Sequence, residues 1–135
     1  MSDSNDRLTA EFEAVDQAIE DLEQALQEQG ELAVSETVDR TMALTRRLLT
    51  AYAEHHGKPM PVSDDLLEVF KAFVKGDPSL NAVRDNLREL VYYRNCLDLD
   101  RADALPKSPE RMAVRTARHV YLYLRSRSEQ ENLHS

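Results

Sequence analysis

Six apolar residues near the start of the chain, Leu8, Phe12, Val15, Ile19, Leu22 and Leu26, recur at spacings of 4, 3, 4, 3 and 4. That alternation keeps them on one side of an α-helix. It cannot line one face of a β-strand, where side chains repeat every second residue. Glu11, Glu13, Asp16, Glu20, Asp21 and Glu23 flank the stripe, so this helix has a narrow seam to bury and an acidic surface to solvate. The same period returns in Val38, Met42, Thr45, Leu48, Leu49 and Tyr52. It returns again in Leu66, Leu67, Val69, Phe70, Phe73 and Val74, and in Leu80, Val83, Leu87, Leu90 and Val91 with Arg94 in register. A last stripe holds Val114, Ala117, Val120, Tyr121 and Leu124.

The residues between the stripes are helix punctuation. Gly30 can close the first helix in a left-handed conformation, and Ser35 is expected to cap the second. Gly57, Pro59 and Pro61 stop that helix, and Ser63 before Asp64 and Asp65 is expected to open the third. In Gly76-Asp77-Pro78 the glycine closes one helix while Asp77 caps the next over a proline. Ser108-Pro109-Glu110 repeats that opening. With only three glycines in 135 residues, connections are short, and the expected fold is all-α: an antiparallel up-and-down helical bundle of four to five helices. Residues 1–135 form a single domain in this reading, with flexible tails at 1–6 and from about 129 to 135.

Composition narrows the function classes. No apolar run approaches the roughly 20 residues that span a bilayer, and the acidic MSDSNDRLTAEFE start is unlike a secretory signal. A lone cysteine, Cys96, allows no internal disulfide and suits a reducing compartment, so a cytoplasmic location and no membrane association are expected. The net charge of −8 argues against general nucleic-acid binding, yet it is unevenly spread. Residues 1–39 carry twelve acids against Arg7 alone. Residues 107–127 carry Lys107, Arg111, Arg115, Arg118, Arg125 and Arg127 against Glu110 alone. Two such helices would attract each other side by side, or the basic one would offer a surface to an acidic partner.

The order of these elements resembles a HEPN-type domain, the helical module found beside nucleotidyltransferases and in some toxin ribonucleases. The resemblance covers about residues 12–126. It rests on the first helix pair, the HGKPMP turn leading to DDLLEVF, a fourth helix ending in Tyr93-Arg94-Asn95, an acidic loop, and the closing helix in ERMAVRTARHVYLYL. Catalytic members carry an Arg here, often followed by Asn, with a His five to seven residues after the Arg. Arg94 and Asn95 match the first half. The positions where the His is expected hold Leu99, Asp100 and Arg101, and neither Leu nor Asp can both give and take a proton near neutrality. Asp98 and Asp100 would also repel a phosphate. Arg94 is therefore expected to offset the helix C-terminus and to pair with Asp98 or an acid of the first helix.

Other constellations point to no chemistry. His55-His56-Gly57-Lys58 has a His-x-x-Lys spacing similar to phosphotransfer bundles, but Gly57 and Pro59 break the helix at once, as a solvated helix end would. Adjacent His55 and His56 diverge by about 100° on a helix, and His119 and His134 have no neighbours at ligand spacing. No catalytic set, metal site or cofactor is expected. Tyr92 beside Tyr93, and Tyr121 two before Tyr123, cannot all face a core, and Tyr and Arg are enriched at interface hot spots. The expected binding residues are Tyr92, Tyr93, Arg94, Asn95, Arg118, Tyr121 and Arg125. The leading expectation is a non-catalytic interaction or dimerisation module, a homodimer whose further partner, as the resemblance implies, is a nucleotidyltransferase or toxin–antitoxin component. The alternatives are a degenerate ribonuclease or nucleotide binder using Arg94, Asn95 and a displaced group such as His119, with RNA as partner, and a purely structural bundle.

Overall fold

A computed structural model describes the backbone of residues 2–133 and the side chains of residues 4–132; His134 lies outside them. Among the described residues there are five α-helices: α1 (Ser2–Gln29), α2 (Val34–His55), α3 (Leu66–Val74), α4 (Arg84–Asp98) and α5 (Pro109–Leu133). Short 3₁₀ turns at Pro78–Val83 and Ala102–Ala104 precede α4 and follow it. No helix is long and apolar enough to cross a membrane among the described residues.

Contacts between the helices fix their directions. Arg118 reaches Asp16 and Glu23, and Arg125 lies over the Phe12 ring, so rising numbers on α5 meet falling numbers on α1. Arg94 near the end of α4 meets Ser35 and Asp39 near the start of α2, and Thr116 of α5 meets Glu89 of α4. Each of these pairs is antiparallel. By contrast, α2 and α5 run the same way: Leu32, just before α2, bonds to Glu110, while Tyr52 near its end bonds to Glu131. The bundle is thus up-and-down through α1, α2, α4 and α5, flattened so that the diagonal pair α2 and α5 touch along their length. Small buried residues allow that approach: Thr37, Thr41 and Thr45 on α2, Ala113, Thr116 and Ala117 on α5. The short α3 closes one end against α2 and α4.

The expected stripes form the core. Leu8, Phe12, Val15, Ile19 and Leu26 are buried, as are Leu48, Leu49, Phe73, Leu87, Leu90, Val120 and Leu124. Burying each such side chain contributes about 2 kcal/mol. Gly30 ends α1 in the left-handed conformation, at φ +82°.

Several boundaries differ from the sequence expectation. Ser35 does not cap α2, which starts at Val34 behind Ala33 without a side-chain cap. Leu32 and Val34 pack on the core and draw the chain into the helix early, leaving the Ser35 hydroxyl to accept from Arg94. The cap of α3 is Asp65, whose carboxylate accepts from the Leu67 and Glu68 amides; Ser63 instead accepts from the Asp65 amide. A helix of nine residues on the outside of a bundle buries one side only, so Leu67 is exposed and Val74 half-buried. Asp77 and Pro78 open a 3₁₀ turn, and α-geometry begins at Arg84. Ser108 stands at φ +53°, and its carbonyl accepts the first amides of α5. The segments expected as flexible tails are helical from Ser2 and through Leu133. The second is tied down by Glu131, which holds Tyr52 and His56.

Candidate functional sites

The seven expected binding residues do not share one surface. Tyr93 and Tyr121 are buried: the Tyr93 hydroxyl donates to Glu89, and Tyr121 packs edge-on to Phe12. Arg118 and Arg125 cover the α1–α5 seam. The Arg118 guanidinium is 2.7 Å from Asp16 and 2.8 Å from Glu23, and its pKa is raised, with the Glu23 hydrogen bond the largest cause. Arg118 thus joins the acidic first helix to the basic last helix within the chain, while Arg125 pairs with Glu129 of its own helix.

Arg94 is equally engaged. It donates to Asp98 at 3.0 Å, to Asp39 at 2.8 Å and to the Ser35 hydroxyl at 3.1 Å. Burial alone would lower its pKa, but Asp39 and Asp98 outweigh that and raise it. The expected partner Asp98 is present, while the second acid comes from α2 and not from α1. Two carboxylates on one guanidinium leave little positive potential for a phosphate. None of Arg94's hydrogen-bond partners is a histidine; His119 is exposed on α5.

Two expected residues do share an open surface. Tyr92 and Asn95 lie on the outer stripe of α4 with Asp85, Arg88 and Leu99, at spacings of 3, 4, 3 and 4, and all five are exposed. Tyr92 is 49% exposed and Leu99 73%, unusual for side chains of this size. The Tyr92 hydroxyl donates to the Ala104 carbonyl at 3.0 Å, which holds the ring against the loop after α4. Arg84 and Arg88 flank Asp85 at the start of α4 and make no ion pair among the described residues, while Asp98, paired with Arg94, and Asp100 stand at its end.

A second open feature was not anticipated from sequence. The first turns of α1, the second half of α2 and residues 60–63 enclose a cleft of about 670 Å³. Its apolar lining includes Leu8, Ala43, Ala51, Met60 and Pro61, and Val62 stands fully exposed at the rim. Arg47, in the same lining, is held in a bidentate pair by Glu11, at 2.7 and 2.9 Å, and this hydrogen bond lowers the Glu11 pKa. Arg7 makes no ion pair among the described residues, and Arg46 donates to the Asp64 backbone carbonyl at 3.3 Å with the Asp64 carboxylate 3.8 Å away. The signal available in the sequence was weak: two alanines in the Tyr52 helix and an apolar Pro-Met-Pro-Val connection.

The His55–Lys58 stretch is structural. The His55 ring bonds to the Ser4 hydroxyl, His56 to Glu131, and the Lys58 ammonium donates to the Phe73 carbonyl near the end of α3. Cys96 is buried. No group of three or more His, Cys, Asp or Glu is placed to hold a metal ion among the described residues. Comparison with protein-family models, with curated proteins and with solved structures finds no match in any of the three.

Proposed function

We propose that the protein is a non-catalytic helical interaction module, HEPN-like in layout, that self-associates through the outer stripe of α4. The observation that carries this reading is the exposed Tyr92–Leu99 stripe, with its two large side chains turned outward. A two-fold axis at Tyr92 would pair α4 with an antiparallel copy. Arg84 would then face Asp100 of the second copy, and Asp85 would face its Leu99. The Arg84–Asp100 pair, made twice, is the self-complementarity a two-fold interface requires. Tyr92 would form the desolvated centre and the charges the rim. Arg94 serves the fold in this reading, since its guanidinium already holds α2 to α4.

The partner proposed beyond the second copy is of the class the HEPN resemblance implies, a nucleotidyltransferase or toxin–antitoxin component. Sedimentation equilibrium tests the self-association. The expected result is a dimer at micromolar concentration that Leu99→Asp and Tyr92→Ala each weaken by about tenfold or more. A wild-type protein that stays monomeric, or a dimer indifferent to both substitutions, would contradict it.

A further inference from the structure

We propose that the cleft between α1, α2 and residues 60–63 binds an amphiphile with an apolar body and a single carboxylate head. This site is separate from the α4 stripe: α1 and α4 pack on different sides of α2. A volume of about 670 Å³ falls within the range of small-molecule sites, roughly 300–1,000 Å³, and is too confined for a folded partner. The hollow exists because α2 presents Ala43, Thr50 and Ala51 where its other faces present Leu48, Leu49 and Tyr52. The floor and the Met60–Val62 wall supply apolar contact for a hydrocarbon body.

The polar groups decide the head. Arg47 is neutralised by Glu11, but Arg7 makes no ion pair among the described residues, and Arg46 commits one N–H to the Asp64 carbonyl and keeps its other donors. Asp64 holds Arg46 loosely: its backbone carbonyl accepts at 3.3 Å, and its fully exposed carboxylate stands 3.8 Å away. Glu11 faces Arg47 and Ser4 faces His55, so Arg7 lies level with Ala51 of α2. Arg7 and Arg46 are then about 7 Å apart along the helix axis, a gap two flexible arginine side chains can close on one carboxylate. Guanidinium matches carboxylate in a bidentate geometry, and a site bordered by apolar surface strengthens that pairing. Glu54, one turn along α2 from the level of Arg7 and in no ion pair among the described residues, disfavours a second negative group. The ligand class is thus a monoanionic amphiphile, such as a medium-chain fatty acid.

Calorimetric titration of the full chain with octanoate, octan-1-ol and acetate tests this, with amide NMR shifts to locate the site. Octanoate should bind about tenfold or more tightly than octan-1-ol, acetate should not bind, and shifts should cluster at residues 4–11, 43–55 and 60–63. The double variant Arg7→Gln, Arg46→Gln should bring octanoate down to the level of the alcohol. Ala51→Leu, which fills the hollow, and Val62→Asp, at a fully exposed position that cannot upset the core, should weaken both ligands. No octanoate binding, equal affinity for acid and alcohol, or shifts outside the cleft would each overturn the proposal.

Discussion

Arginines on two sides of α2 stand in opposite states. On the Tyr52 face, Arg127 donates to Asp77 at 2.6 Å, to the Ser79 hydroxyl at 2.7 Å and to the hydroxyls of Tyr52 and Tyr123 at 3.0 and 3.2 Å. Glu131 closes the cluster from the next turn of α5. Burial, then Glu131, raises the Tyr52 pKa, while the Ser79 hydrogen bond, with help from Arg127, lowers that of Asp77. On the opposite face Arg7 and Arg46 border an open cleft: Arg7 makes no ion pair among the described residues, and Arg46 holds only the loop at Asp64. The contrast teaches how to read an arginine. One whose donors are all matched by the fold stabilises it, and one left facing an apolar hollow is available to something else.

Substitutions can break that comparison, and their sizes should be ranked. Arg127→Ala should cost most, about 2 kcal/mol, because it removes the cation between Asp77 and Glu131 and loosens the end of α5. Urea denaturation measures the loss, and hydrogen exchange should show residues 127–133 opening first. Arg118→Ala follows at about 1.5 kcal/mol, through two acids on one face of α1 left without their cation. Arg94→Ala should cost about 1 kcal/mol and leave dimerisation intact, since its role is to hold α2 to α4. A dimer abolished by Arg94→Ala in a folded protein would make that residue an interface group after all.

Acid titration separates the seams further. Glu11 and Asp77 both have folded-state pKa values below their ordinary values of 4.5 and 3.8. A lowered acid contributes its full stability above the unfolded value and loses it as pH falls through the folded one. Stability should therefore be insensitive to these groups at neutral pH and decline as pH drops below about 4.5, with Glu11→Gln flattening the upper part of the decline. The smallest effect belongs to the cleft: Arg7→Ala and Arg46→Ala should each change stability by no more than about 0.5 kcal/mol. A larger loss would show that they already serve the fold.

How much of this was legible in the chain follows from the range of each interaction. The stripes from Leu8 to Leu26 and from Val114 to Leu124 were readable because helical period is local, and the charge asymmetry foretold the Arg118 seam. Caps were less readable. Ser35, Ser63 and Asp65 are all good cap types, and packing of Leu32 and Leu66 chose among them. Asp39 as Arg94's partner and the matched state of Arg127 depend on which helices become neighbours, which no single stripe encodes. The cleft was invisible for a similar reason. Ala43 and Ala51 look like ordinary helix formers until α1 and the Met60–Val62 segment enclose the space above them.

The most direct test of the proposed self-association is a pair of cysteines in a Cys96→Ala background, Asp85→Cys with Leu99→Cys. Within one chain these positions lie about 21 Å apart along α4 and cannot join. Across a two-fold axis at Tyr92 each faces the other position on the second copy. Dimerisation through α4 predicts that mild oxidation converts the double variant to a covalent dimer while neither single variant cross-links. Absence of cross-linking in the double variant, or equal cross-linking in the singles, would contradict it.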